Sequence, residues 1–410
     1  MKHDAAASDR AILRELAKRY VDLCHRPDMA RRRDLWRRHN SLQSVRPPLY
    51  VRAFAWDEMP EAVRLCADPR LRGLERFLRM ELFRGAFEDD YVFEPWVTVE
   101  AVHACEGWGV EAPRHTTGDA GGSYKVDYPI KTEDDFTKLR PPRHAIDEAA
   151  TAANLARVQE AVGDLIAVNL DRGPHYRIWR ADLSTDLGHL RGIEHFMLDM
   201  SDRPGWLHGL LAFLRDGVLR SQDAAEAAGD FGLCDHYNQA MAYAQELPDP
   251  AANVRGVARD RLWCFCAAQE FAAVSPAMHE EFLLQYQLPI LRPYGLVAYG
   301  CCEDLTRKID MLRRIPNLRR IAVSPMADVA RCAAQIGRDY VLSYRPSPSD
   351  MVGYGFDEAR IRAILRRDLA ACRGCHTDVT LKDVETVQRD PTRVRRWVAI
   401  CRQEVERAFG

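Results

Sequence analysis

Cys301, Cys302, Glu303 and Asp304 stand in a row directly after a short apolar run, Leu296, Val297 and Ala298. That run suits a strand buried on both faces. Thiolates are soft nucleophiles and good zinc ligands, so three chemistries fit the pair: metal binding, nucleophilic attack and redox exchange. The bland reading is one core cysteine beside one idle thiol. Adjacent residues on a regular strand point to opposite faces, so both sulfurs serve one centre only if the strand has ended in a turn. A zinc set built on Cys301 and Cys302 would be completed by Glu303, Asp383 or His236.

Further reactive side chains follow other apolar runs. Glu270 follows 262–268 and precedes Phe271. A buried carboxylate there would titrate high and suit acid–base work, and a partnered structural carboxylate is the alternative. Tyr299 and Arg345 read as substrate contacts. Lys382 and Asp383 read as a catalytic pair, Lys382 to bind a carboxylate and Asp383 to deliver a proton. Arg172, His175 and Arg177 follow the run at 164–170 and would hold an anionic group; a solvated loop is the alternative. His236 reads either as an exposed loop histidine or as a ligand or proton carrier. Cys264 and Cys266 share one strand face, where packing is the plainer reading. Cys372, Cys375 and His376 look like a zinc or redox motif lying before the last strand.

These groups need elements to position them. Eight runs read as strands: 49–54, 91–98, 164–170, 262–268, 296–301, 319–323, 340–344 and 378–381. Helical periodicity joins several of them, over 61–85, 146–162, 187–229, 276–294, 305–315 and 357–373, and 391–408 closes the chain. The count fits a (β/α)8 barrel, an α/β fold whose sites lie at the strands' carboxyl ends. A doubly wound sheet is the alternative, but no Gly-x-Gly-x-x-Gly follows the first strand. Residues 1–46 read as an N-terminal helical extension and 47–410 as the barrel. Residues 105–145, with a glycine-rich piece at 118–122, read as an inserted irregular lid or hairpin. Thr132 is a candidate N-cap for a short helix at 132–140.

The chain has 410 residues and a formal net charge of −2, which gives no reason to expect nucleic-acid binding. Arg31, Arg32, Arg33, Arg37 and Arg38 read as a solvated helix face. No apolar run approaches the ~18 residues that span a membrane. The amino terminus lacks a signal-peptide core, so a cytoplasmic protein is expected. Twelve scattered cysteines then read mostly as core thiols. The apolar N-terminal helices offer a homodimer face.

Several stretches resemble the uroporphyrinogen decarboxylase superfamily. They are the run from Gln269 to Phe282 with its Ser275-Pro276, Tyr299-Gly300-Cys301-Cys302-Glu303, Ile315-Pro316-Asn317-Leu318, Ser324-Pro325, Tyr340 to Pro348, and Leu381-Lys382-Asp383. The likeness covers roughly 35–50 and 160–405. It implies a (β/α)8 barrel and one of two chemistries on a small molecule. One is cofactor-free decarboxylation. The other is zinc-assisted methyl transfer or demethylation with a corrinoid protein as partner. In the zinc branch a His-x-Cys pair precedes a further cysteine on the last strand; here Tyr299-x-Cys301 and Lys382-Asp383 stand at those places. Residues 46–56 lack the Arg-Gln-Ala-Gly-Arg motif of the true decarboxylase, which argues against haem biosynthesis. The resemblance therefore implies a zinc-dependent methyltransferase, with a carboxy-lyase as the alternative.

Overall fold

The computed structural model describes residues 2–105, 107–118 and 123–410, with side chains from residue 7 onward. Residues 119–122 of the glycine-rich piece lie outside the described residues.

Two helices, α1 (Lys2–Cys24) and α2 (Asp28–Asn40), open the chain before strand β1 (Leu49–Val51). Then come α3 (Arg72–Arg84), β2 (Trp96–Glu100), the strands β3 (Arg114–Thr116) and β4 (Tyr124–Val126), α4 (Glu148–Val162) and β5 (Ala167–Asp171). Three helices follow, α5 (Ser184–Leu190), α6 (Ile193–Asp202) and α7 (Pro204–Ala227). The second half alternates regularly: β6 (Trp263–Cys266), α8 (Pro276–His279) and α9 (Gln285–Leu291), β7 (Leu296–Tyr299), α10 (Ile309–Leu312), β8 (Leu318–Val323), α11 (Val329–Ile336), β9 (Val341–Tyr344), α12 (Pro348–Met351), α13 (Glu358–Ala371), β10 (His376–Leu381) and α14 (Arg393–Phe409).

Six strands form one curled parallel sheet in the order β1-β10-β9-β8-β7-β6, so the last strand returns to pair with the first. β2 and β5 form a separate parallel pair. The eight expected strands are all present, but the (β/α)8 expectation is met only in part: among the described residues the sheet is open between β1 and β2 and between β5 and β6. β3 and β4 form an antiparallel hairpin inside the irregular insertion.

Some helix boundaries differ from the sequence reading. The expected helix at 61–85 begins only at Arg72, and that at 305–315 shrinks to Ile309–Leu312. At 132–140 a short 3₁₀ turn, Asp134–Lys138, replaces the expected helix start. Thr132 does not cap it; instead its N–H and hydroxyl donate to Asp135. Between α8 and α9 the residues Glu280–Leu284 form a π-helical turn. No helix among the described residues is long and apolar enough to cross a membrane.

α1 packs on α3, α4, β2 and β5 through Leu13, Leu16, Ala17 and Tyr20. The apolar face expected to serve a dimer is therefore occupied inside the chain. α2 lies under the six-stranded sheet. Its His39 and Asn40 reach a fully buried network in which Asp378 accepts from Arg320 at 2.8 Å, Ser343 at 2.9 Å, Thr380 at 3.0 Å and the His39 imidazole at 3.1 Å. The Asn40 amide oxygen accepts from Arg320 at 2.8 Å. Strand periodicity carries this polar column upward, because residues 378, 380 and 382 share one face of β10, as do 343 and 345 of β9. Asp378 therefore lies below and Lys382 above.

Candidate functional site

The strand β7 ends at Gly300, whose φ is +95°. Glycine tolerates this left-handed turn at little cost. A Cβ there would stand 2.5 Å from Leu305. The turn supplies the condition set by the sequence: it brings both sulfurs to one side. The Sγ atoms of Cys301 and Cys302 are 3.5 Å apart. Lys382 Nζ lies 2.7 Å from the Cys301 sulfur, 3.2 Å from that of Cys302 and 2.9 Å from Asp383 Oδ2. Cys302 Sγ lies 3.4 Å from the same Asp383 oxygen. Arg345, 3% exposed, donates to the Cys301 carbonyl at 3.0 Å.

This arrangement separates the two thiols. The hydrogen bond from Cys302, together with the charges of Lys382 and Arg345, outweighs burial and holds Cys301 down to about 6. The same hydrogen bond, then burial, keeps Cys302 protonated well above an ordinary thiol. Burial and Arg345 press Lys382 toward neutrality, but the Cys301 thiolate and Asp383 leave it raised. The centre is an ammonium–thiolate pair with a neighbouring S–H donor. Such a thiolate is nucleophilic at neutral pH.

The expected zinc set does not assemble. Glu303 places Oε2 on the Cys301 N–H at 2.8 Å and Oε1 on the Ala268 N–H at 2.9 Å, so it pins the ends of β6 and β7 together. His236 accepts from the Trp263 N–H, at the amino end of β6, whereas the cysteines lie past the carboxyl end of β7. Among the described residues no three His, Cys, Asp or Glu side chains meet as metal ligands. The point between two sulfurs and a carboxylate, where a cation would sit, is taken by the Lys382 ammonium. The residues present do not fit zinc. Substituting Glu303 with Ala would leave two buried N–H groups unpaired. A loss of about 2–5 kcal/mol is expected in denaturant unfolding, with unchanged far-ultraviolet dichroism in buffer.

The other candidates divide. Tyr299 is internal: its hydroxyl donates to Gln287 at 2.8 Å and lies 3.1 Å from His279 Nε2, so it is a core residue and not a substrate contact. Glu270 accepts from Ser184 at 2.6 Å and is half-buried, which is the partnered reading. Arg172 is locked between Glu148 and Asp230. Cys264 and Cys266 are buried in the core of β6, Cys372 is buried too, and Cys375 donates to the Ala333 carbonyl, so packing accounts for all four.

His175 does line a cavity, one of about 730 Å³ beyond the carboxyl ends of β2 and β5. Glu100, Asp171, Arg177, Asp186 and His189 contribute to it, with Arg114 from the hairpin. Ile178, Trp179 and Tyr237 also line it and pack against the cluster that contains Cys301. Ile178 and Leu183 hold φ of +55° and +62°, and Asp383 one of +55°. Such strain in non-glycine residues gathers where a structure positions function. Asp186 takes a hydrogen bond from the Trp108 indole at 2.7 Å, yet burial pushes it up to about 6. The sequence reading missed Asp186 and its neighbour Asp182; the available signal was the polar string Asp182, Ser184, Thr185 and Asp186 amid apolar residues.

No family model matches the chain, and no curated protein matches it. A solved structure of a methyltransferase from Methanosarcina mazei aligns with 90% of this chain and 97% of its own, at a TM-score of 0.47 and 13% identity. At that score and identity the likeness carries nothing about the site.

Proposed function

We propose that this chain is a group-transfer enzyme in which the Cys301 thiolate takes a methyl group from a small molecule brought to the carboxyl ends of β7 and β10. We read the eight strands as a barrel parted at two seams. The observation that carries the proposal is the 2.7 Å pairing of Lys382 with Cys301 beside a second thiol. A sulfur lone pair forms the S–C bond, and the C–X bond of the donor breaks with its electrons left on X. Methylation abolishes the thiolate charge, and Lys382 then keeps only Asp383 of the two partners that hold its proton. Burial and Arg345, which already oppose that charge, then weigh more heavily, and Lys382 gives its proton to X. Arg345 keeps the Cys301 carbonyl fixed through this exchange.

This reading differs from the sequence expectation in needing no zinc ligand set. The onward acceptor implied by the family resemblance is a corrinoid on a separate protein. The carboxy-lyase alternative requires cations open to a substrate carboxylate. Arg172, Arg177 and Lys382 each already face acidic partners, and Arg345, the fourth cation of that reading, is buried against the Cys301 carbonyl.

The test is to incubate the protein with methyl ethers, methylamines and methyl thioethers and to map its peptides by mass. The expected result is a gain of one methyl group on the Cys301 peptide, absent in Cys301→Ser and retained in Cys302→Ser. No gain from any donor class, with Cys301 titrating near 6, overturns the proposal.

A further inference from the structure

We propose that the cavity between α2, the segment before β1 and α14 binds a compact polyanion of the di- or triphosphate type, gripped by Arg31, Arg38 and Arg402. The arginines that the sequence offers as a solvated helix face divide: Arg31 and Arg38 are exposed, Arg33 and Arg37 are half-buried and Arg32 is buried. Arg33 turns to Tyr243 and Glu94, and Arg37 to Asp249. Arg31, Arg32 and Arg38 instead meet Arg46 and Arg402 around a cavity of about 380 Å³ that also holds Asp34 and Asp90. Five guanidinium groups face two carboxylates in the lining, and Asp28 just outside it pairs with Arg32, which leaves two positive charges unmatched. Residues this far apart in the chain converge only through the fold, which a helix face does not require.

The five arginines are not equivalent. Arg32 is engaged by Asp28 at 2.7 Å and by the Tyr91 carbonyl at 2.7 Å. Arg46 makes a two-pronged pair with Asp90 at 2.6 and 2.8 Å, and that carboxylate also accepts from the Leu49 N–H. These two build the wall. Arg31 is exposed and enters no ion pair among the described residues. Arg38 stands 3.9 Å from an exposed Asp34 and donates its Nε to the Gln43 amide oxygen at 3.3 Å, and Arg402 stands 4.0 Å from Asp90 while donating to the Glu88 carbonyl. These three retain N–H groups for a ligand. Planar guanidinium groups meet phosphate oxygens in pairs, and several around one concavity select multiple charge. Leu35 is the one apolar side chain in the lining, so the cavity offers no platform for a base or an acyl chain. It lies at the α2 end of the sheet, away from the strand ends that carry Cys301.

The test is calorimetric titration of the full chain with pyrophosphate and tripolyphosphate, against sulfate and citrate at matched ionic strength. The phosphates are expected to bind about tenfold or more tighter than sulfate. That preference is expected to be lost in Arg31→Gln/Arg38→Gln and in Arg402→Gln. These residues lie at the surface, and an unchanged melting temperature without ligand shows that the variants fold. Equal affinity for all four anions, a preference for citrate, or phosphate binding unaltered in both variants overturns the proposal.

Discussion

With Lys382 replaced by methionine, the pH midpoint for alkylation of Cys301 by iodoacetamide is expected to climb from near 6, with the ~8.5 of an ordinary thiol as the upper bound because the Cys302 hydrogen bond and Arg345 remain. The side chains are of similar length, so the variant removes the ammonium and keeps the packing. At that bound and a pH near 6 the thiolate fraction falls by about two orders of magnitude. A more basic thiolate is intrinsically more nucleophilic, which returns about one order, so the net loss of rate is roughly tenfold. Between the two midpoints the two effects nearly cancel, which makes the midpoint the better readout. Lys382→Arg keeps the charge and should move the midpoint little. The stability linkage has a definite sign. Cys301 titrates lower folded than unfolded, so its contribution is full above the unfolded thiol value and is lost as pH falls through about 6. The methionine variant should be flat over that window. A midpoint that stays near 6 without Lys382 would assign the low value to Cys302 and Arg345 and remove the leaving-group step from the proposed mechanism.

The strands were legible because parallel strands buried on both faces must be continuously apolar. Trp263–Cys266, Leu296–Tyr299 and Val341–Tyr344 are buried at every residue. What the apolar runs lack is information on pairing, so the openings beside β2 and β5 could not be read from them. The site was legible where its residues follow a strand end. Cys301, Cys302, Lys382 and Arg345 do so, and they converge. Gly300 was the available sign that both thiols turn one way. Residue type alone misled at Glu303 and His236. An acid beside two cysteines looks like a ligand until its oxygens are found on two backbone N–H groups. Tyr299 was placed at the site by its number, but strand alternation carries its ring to the helix side, against Gln287 and His279. Lys382 was singled out for a carboxylate, and its partner proved to be sulfur, a contact between residues 81 apart in the chain.

Removing the carboxylate beneath that site is expected to cost more than removing its cation. Asp378 and Arg320 are both almost fully buried. Breaking a buried pair by deleting one member typically costs about 3–5 kcal/mol, because the other charge is stranded. Asp378→Ala strands Arg320, which cannot discharge by losing a proton. Its remaining acceptors are the Asn40 amide oxygen and the Ser343 hydroxyl. Arg320→Met strands Asp378, but a carboxylate can take up a proton and still hold Ser343, Thr380 and His39. Urea unfolding at neutral pH should therefore rank Asp378→Ala below Arg320→Met. The Asp378→Ala/Arg320→Met chain should be more stable than the sum of the single losses predicts. Acid supplies an independent check. Burial opposes the Asp378 charge, but Arg320 and His39 hold its carboxyl well below the ordinary value. Its contribution is present above the unfolded value near 4 and lost as pH falls below it. The deficit of Arg320→Met should accordingly be largest at neutral pH and shrink in acid. A deficit that is constant with pH would mean that the arginine supports the sheet by packing on Trp36, whose ring lies 5.9 Å away, and not by charge.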